Sequence, residues 1–97
     1  MKLYKLKTSY TYILTNIYRT TLYVGVTSDL KKRIQEHYEG KGSEFTNKYN
    51  LKDLIYYEEF TDIKQAIARE KQLKNWRKEW KLDLVKKLNP KLETLKF

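Results

Sequence analysis

Within the stretch Leu22–His37 a two-residue alternation, a glycine and a helical repeat follow one another, and few folds accommodate that order. Leu22 and Val24 point one way and Tyr23 and Gly25 the other, by the period of a strand. Ser28 or Asp29 can cap a helix, its side-chain oxygen accepting from a backbone N–H that lacks an intrahelical partner. Leu30, Ile34 and Tyr38 then recur at i, i+4 and i+8 as one apolar stripe facing a core. Arg33 and His37 stand one turn apart on a neighbouring face. A tyrosine, an arginine and the chain's single histidine are thereby delivered to one small region.

The flanking segments supply partners for this unit. Met1–Thr8 is basic and reads as a frayed lead-in. Ser9–Thr15 alternates Tyr10, Tyr12 and Leu14 against Thr11, Ile13 and Thr15, all good strand formers. Residues 16–20 have the length of a hairpin loop, with Thr21–Val26 as the returning strand. A first helix is expected from about Asp29 to Glu39. Gly40-Lys41-Gly42-Ser43 ends it and reads as the most mobile stretch. Ser43–Tyr49 suits one short helical turn. A third strand is expected over Asp53–Phe60, with Leu54, Tyr56, Glu58 and Phe60 on one face and Ile55, Tyr57 and Glu59 on the other. Thr61 or Asp62 caps a long helix to about Trp76. A last helix, 78–88, carries Trp80, Leu84, Val85 and Leu88 along its buried side until Asn89-Pro90 stops it. The expected fold is a small α+β domain, a three-stranded, largely antiparallel sheet with helices packed on it.

Composition narrows the function classes. A chain of 97 residues is read as one domain, 1–97, with a single core. Its 21 basic and 12 acidic side chains leave a formal charge of +9, which points to a polyanionic partner. With nine tyrosines and two tryptophans among the lysines, that partner is expected to be nucleic acid. The absence of cysteine excludes disulfides and thiolate metal sites and fits a reducing compartment. Neither a signal-peptide pattern nor an apolar run of membrane-spanning length is present, so a cytoplasmic location away from membranes is expected.

One residue breaks the apolar periodicity. Ile63, Ala66, Ile67 and Leu73 form the core-facing stripe of the long helix, and Glu70 sits on that stripe, four residues after Ala66 and three before Leu73. A buried, unpaired carboxylate is costly, so Glu70 must lie at the stripe's edge, pair with a cation such as Lys74, or bind a metal. A lone carboxylate can hold a magnesium ion whose other ligands are waters and substrate phosphate.

These residues carry a resemblance to a known family. Tyr10-Thr11-Tyr12-Ile13 and Tyr23-Val24-Gly25 resemble the two signature motifs of the GIY-YIG nuclease superfamily. Arg33, four residues before His37, is similar to the family's helix arginine, and Glu70 to its metal-binding glutamate. The likeness covers almost the whole chain, including Trp76–Lys81 and Asn89-Pro90. It is greatest to small stand-alone bacterial proteins that consist of the nuclease domain alone. Tyr10 stands where the first motif has its glycine, and Asn75 and Asn89 are the candidates for the structural asparagine that many members carry.

The resemblance implies a metal-dependent endonuclease hydrolysing phosphodiester bonds, structure-selective or non-specific; the alternative is a nucleic-acid binding module that keeps the fold with little cleavage. It assigns the base to a tyrosine, here Tyr12 with Tyr23 as its partner, and the phosphate grip to Arg33, whose planar fork suits non-bridging oxygens. Glu70 would hold Mg²⁺ or Mn²⁺ against the leaving oxygen. His37 would polarise the water, relay a proton or contact phosphate. Tyr10 and Gly25 support the motifs, Gly25 by letting backbone and substrate approach closely. Lys32, Lys71 and Lys74 are candidate phosphate contacts, and Trp76 and Trp80 are expected to be core anchors. DNA is the expected substrate, and since no second DNA-binding domain is present, a protein partner could supply specificity.

Overall fold

A computed structural model describes residues 8–96 of the chain, and the expectation for the basic lead-in falls almost wholly outside them. The elements follow in the order β1 (Ser9–Thr15), β2 (Leu22–Thr27), α1 (Leu30–Tyr38), α2 (Glu44–Lys48), β3 (Asp53–Phe60), α3 (Ile63–Lys74) and α4 (Lys78–Leu88). The strands form one antiparallel sheet in the order β2-β1-β3, so β1, rich in β-branched and aromatic residues, takes the centre. The α+β architecture expected from the sequence is the one observed.

The central strand divides two cores. Tyr12 and Leu14 pack with Leu30, Leu51 and Leu54 on the face covered by α1. Ile13 packs with Val24, Ile55, Tyr56, Leu73 and Val85 on the face covered by α3 and α4. Asp29 caps α1 by accepting from the Lys32 N–H, and Asp62 caps α3 by accepting from Lys64. Ser43 caps α2, with the Thr46 side chain reaching back to the Ser43 N–H.

Four expectations need correction. The β1–β3 register slips between Ile13 and Leu14, so Ile55 is an extra residue on β3. Leu54 and Tyr56 therefore lie on opposite faces, and Ile55 and Tyr56 enter the same core. On α1, Tyr38 is exposed and His37 is the buried residue after Leu30. On α3 only Ala66 and Leu73 are buried; Ile63 and Ile67 face water. On α4 only Val85 is buried, joining the core around Ile13, while Trp80 is 52% exposed and Leu88 78% exposed.

Residues beyond α4 close the fold. Asn89 is buried and donates to the carbonyls of Ile55 and Glu93 while accepting from the Glu93 N–H. Of the two asparagine candidates it is the structural one, Asn75 being the exposed C-cap of α3. The Leu95 N–H then donates to the Leu54 carbonyl at 2.7 Å. Arg19, in the left-handed region at φ 58°, donates to Asp53, the Leu92 carbonyl and Thr94, tying the hairpin loop to this segment. Those bonds offset a backbone cost of roughly 1–2 kcal/mol for a non-glycine residue there.

Candidate functional site

Glycine decides how the site is built. Gly25 pairs with Tyr12 across the β1–β2 ladder, and a Cβ on it would lie 2.3 Å from Tyr12 Cζ and 2.4 Å from the hydroxyl oxygen. The missing side chain lets the Tyr12 ring lie over β2, so what approaches Gly25 closely is this ring. Gly42 does the same for the histidine, since a Cβ there would lie 2.1 Å from His37 Nδ1. Of the Gly40–Ser43 connection, expected to be mobile, Gly40 and Lys41 are exposed while Gly42 and Ser43 pack against the site.

Between these glycines lies a closed hydrogen-bond chain. The Tyr12 hydroxyl meets His37 Nε2 at 2.9 Å, and His37 Nδ1 meets Thr46 Oγ1 at 3.2 Å. Arg33 Nε donates to the Tyr12 oxygen at 3.4 Å, its Nη1 to Glu36 at 3.5 Å and its Nη2 to the Gly42 carbonyl at 3.2 Å. Tyr12 and His37 are each only 1% exposed. Burial pushes the Tyr12 hydroxyl up to about 12, with the Arg33 guanidinium acting against it. Burial, then the Arg33 charge, pulls His37 down to about 4. Both are therefore neutral at physiological pH.

One proton arrangement satisfies every member. Tyr12 accepts from Arg33 and donates to Nε2; Nδ1–H donates to Thr46 Oγ1, which also accepts from the Ser43 N–H and donates to a Ser43 oxygen. Transferring the Tyr12 proton to His37 would place an imidazolium beside Arg33, which desolvation and charge repulsion both oppose. Tyr12 and His37 thus hold Arg33 in place, and His37 has no surface from which to touch a phosphate.

The open side of the site belongs to Tyr23. It is half-buried on edge strand β2, with its ring centre 6.3 Å from that of Tyr12, 5.9 Å from His37 and 6.2 Å from Phe45, on which it stacks. Lys74 Nζ lies 5.7 Å from the Tyr23 ring centre and 3.2 Å from a Glu70 oxygen. This lysine links the far face of the sheet to the near one. The Glu70 side chain is 16% exposed, and its i+4 ion pair with Lys74 is the partner the periodicity asked for. Among the described residues no group of three or more His, Cys, Asp or Glu side chains is placed to hold a metal.

The remaining candidates lie apart. Tyr10 packs edge-on against Tyr57 at 6.0 Å. Lys32 lines a groove with Lys31, Tyr38 and the C-terminal residues Thr94–Lys96, and Lys71 is exposed on α3. Missing from the sequence reading were Gly42, Thr46 and Phe45. The Ser43-x-x-Thr46 cap pattern was their only signal.

The sequence profile of the GIY-YIG catalytic domain matches residues 8–83. The chain belongs to the GIY-YIG family. A UPF0213 protein of Streptococcus pyogenes serotype M3 is 43% identical over 65 residues, covering 66% of this chain and 68% of that one. A UPF0213 protein of Bacillus pumilus is 38% identical over 56 residues, and the match spans 58% of this chain but only 57% of that relative's length. The solution NMR structure of the UPF0213 protein BH0048 from Bacillus halodurans superposes with a TM-score of 0.57 at 28% identity, covering 90% of this chain and 92% of that one. The solved UPF0213 structure shares the fold of this chain, whereas function must be argued from the site.

Proposed function

We propose that this GIY-YIG domain binds nucleic acid through its phosphates, with Arg33 as the grip. The carrying observation is how Arg33 is held: 26% exposed, its fork fixed by Tyr12, Glu36 and the Gly42 carbonyl, on a chain of net charge +9. A guanidinium immobilised on its inner side gives up little further freedom when its outer edge meets a phosphate. DNA is the favoured partner, and a protein partner would add specificity.

A second reading, cleavage of the bound strand, is favoured by Lys74, which draws Glu70 and Tyr23 to one edge of the sheet. Glu70, freed from Lys74, would be the single carboxylate holding a magnesium or manganese ion, with water and substrate phosphate as its other ligands. Such an ion supplies Lewis-acid stabilisation of the leaving oxygen. On this reading the partly exposed Tyr23 would orient a water and Tyr12 would position Arg33 from beneath, the reverse of the tyrosine roles expected from the sequence.

Fluorescence anisotropy of labelled DNA across a salt series tests the first reading. Phosphate contacts give a linear fall of log affinity with log salt, and Arg33→Ala should lower that slope by about 1. A salt-independent affinity, or none, removes it. Incubation of duplex, flap, junction and single-stranded substrates with Mg²⁺ or Mn²⁺ tests the second. Cutting that Glu70→Gln abolishes while binding persists establishes cleavage; intact substrates throughout leave a binding module.

A further inference from the structure

Where α3 gives way to α4, a second arrangement stands outside the Arg33 site. The Arg69 guanidinium carbon lies 5.2 Å from the Trp76 ring centre, the Trp76 and Trp80 rings are 6.4 Å apart with planes at 78°, and the Arg77 guanidinium carbon lies 5.7 Å from Trp80. Arginine, indole, indole and arginine form a ladder. Its inner rung, Trp76, packs against the core around Ile13 and Val24, but its outer rung, Trp80, is 52% exposed. Isolated exposed aromatics are unremarkable; an indole held by a neighbouring ring and a guanidinium while half its surface stays in water is a prepared contact.

The surroundings indicate what it contacts. Lys81 follows Trp80 on α4, and burial and the charge of nearby Lys74 lower its pKa. Among the described residues, neither Arg77 nor Lys81 takes part in an ion pair. Lys74 in turn rests against Tyr23. Two basic side chains, Lys74 (shared with Glu70) and Lys81, thus lie between the Tyr23 edge and Trp80.

We infer that Trp80 is a stacking platform for an unpaired nucleobase, so that the domain prefers nucleic acid with a single-stranded segment over continuous duplex. A base inside a duplex is stacked on both faces and has none to offer the indole. An unpaired base does, and the contact tolerates any sequence because every base has a π-face. Arg77 strengthens it through its cation–π contact, and Lys81 and Lys74, towards the Tyr23 edge, can meet the phosphates that follow the stacked base. The inference rests on the nucleic-acid reading above and extends it to the form of the ligand. An acidic protein segment would meet the same cations and is separated by the test.

The chain's two tryptophans are both in the ladder, so intrinsic fluorescence reports on it directly. Titration with an oligothymidylate should quench the emission, whereas a blunt duplex of equal length should leave it nearly unchanged. Trp80→Ala, at an exposed position, should keep its circular dichroism and lose about five- to a hundredfold in single-strand affinity. Its duplex affinity should change less than about twofold, and Trp80→Phe, which keeps a π-face, should recover most of the loss. Equal losses on both ligands, or none on the single strand, would overturn the stacking site while leaving phosphate binding intact. If an acidic peptide alone quenches the emission, the site belongs to a protein partner and the inference fails. If the wild-type chain binds no nucleic acid at low salt, the functional reading fails and this one with it.

Discussion

The two faces of the sheet hold their buried tyrosines in opposite ways. On the α1 face, Tyr12 meets the neutral imidazole of His37 in a space that two glycines leave open. On the α3 face, the Tyr56 hydroxyl donates to Glu58 at 2.5 Å, and Glu58 is gripped by Arg69 through Nε at 2.9 Å and Nη2 at 3.0 Å. Both hydroxyls are pushed up, Tyr12 by burial and Tyr56 by burial reinforced by the Glu58 carboxylate. The first arrangement has a buried, neutral Tyr12–His37–Thr46 centre with the Arg33 charge at its rim, and it is fixed by shape. The second is ionic, with Glu58 and Arg69 each 22% exposed, and can rearrange at its rim. Changes in volume should therefore be severe on the first face, and changes in charge mild on the second.

Gly25→Ala breaks the comparison hardest. Its methyl would overlap the Tyr12 ring at 2.3 Å, and the ring is hemmed in by His37. The expected cost is about 3 kcal/mol, at the upper end for overpacking a core. In a domain of this size that lowers the melting temperature by roughly 12–24 °C. Urea denaturation of the variant measures it; a loss below about 1 kcal/mol would mean that Tyr12 can leave its seat.

Next comes acid. The folded-state pKa of His37 lies near 4, below the 6.5 of the free side chain, so between those values the unfolded chain binds more protons. Stability is complete above pH 6.5, falls as pH drops from 6.5 towards 4, and receives no further loss from this residue below that. After discounting for local relaxation and water entry, the loss should be roughly 2 kcal/mol. Denaturation curves at pH 7 and pH 4.5 should show the fall in the native chain and a flatter response in His37→Gln. Thr46→Val follows, at about 1–2 kcal/mol: it keeps the shape but takes the acceptor from His37 Nδ1 and ends the reciprocal cap with Ser43.

The same contrast explains what could be read from sequence. Strand alternation and caps were legible because period and capping chemistry are local, and Tyr12, Tyr23, Arg33 and His37 converge because one strand pair and one helix turn deliver them. What stayed hidden depends on neighbours distant in sequence. His37 was expected to reach water or phosphate, because nothing local reveals that Gly42 folds back over it. Tyr56 was placed on the wrong face because a bulge opposite Ile13 and Leu14 shifts the alternation without leaving a mark in composition. Trp80 looked like core because periodicity identifies an apolar stripe but not whether anything covers it. Glu70 shows the reverse case, where both its break in the pattern and its i+4 partner could be found in advance.

Arg69→Ala should have the smallest effect and is the sharpest test of the comparison. It removes two charge-assisted bonds to Glu58, a bond to Gln72 and the contact over Trp76. Glu58 keeps the Tyr56 hydroxyl as a donor and can draw water to its exposed rim, so no buried charge is left unpaired. The pair is bidentate but open at its rim, so its loss should cost about 1 kcal/mol, the upper end for exposed pairs, and shrink as salt screens it. Thr46→Val, by contrast, acts on an uncharged buried bond and should be insensitive to salt. Measured side by side at low and high salt, the two variants should diverge in size and in salt response. If Arg69→Ala proves the costlier and stays so in high salt, the ionic face is the rigid one, and the placing of Arg33 by the buried Tyr12–His37–Thr46 chain loses its physical basis.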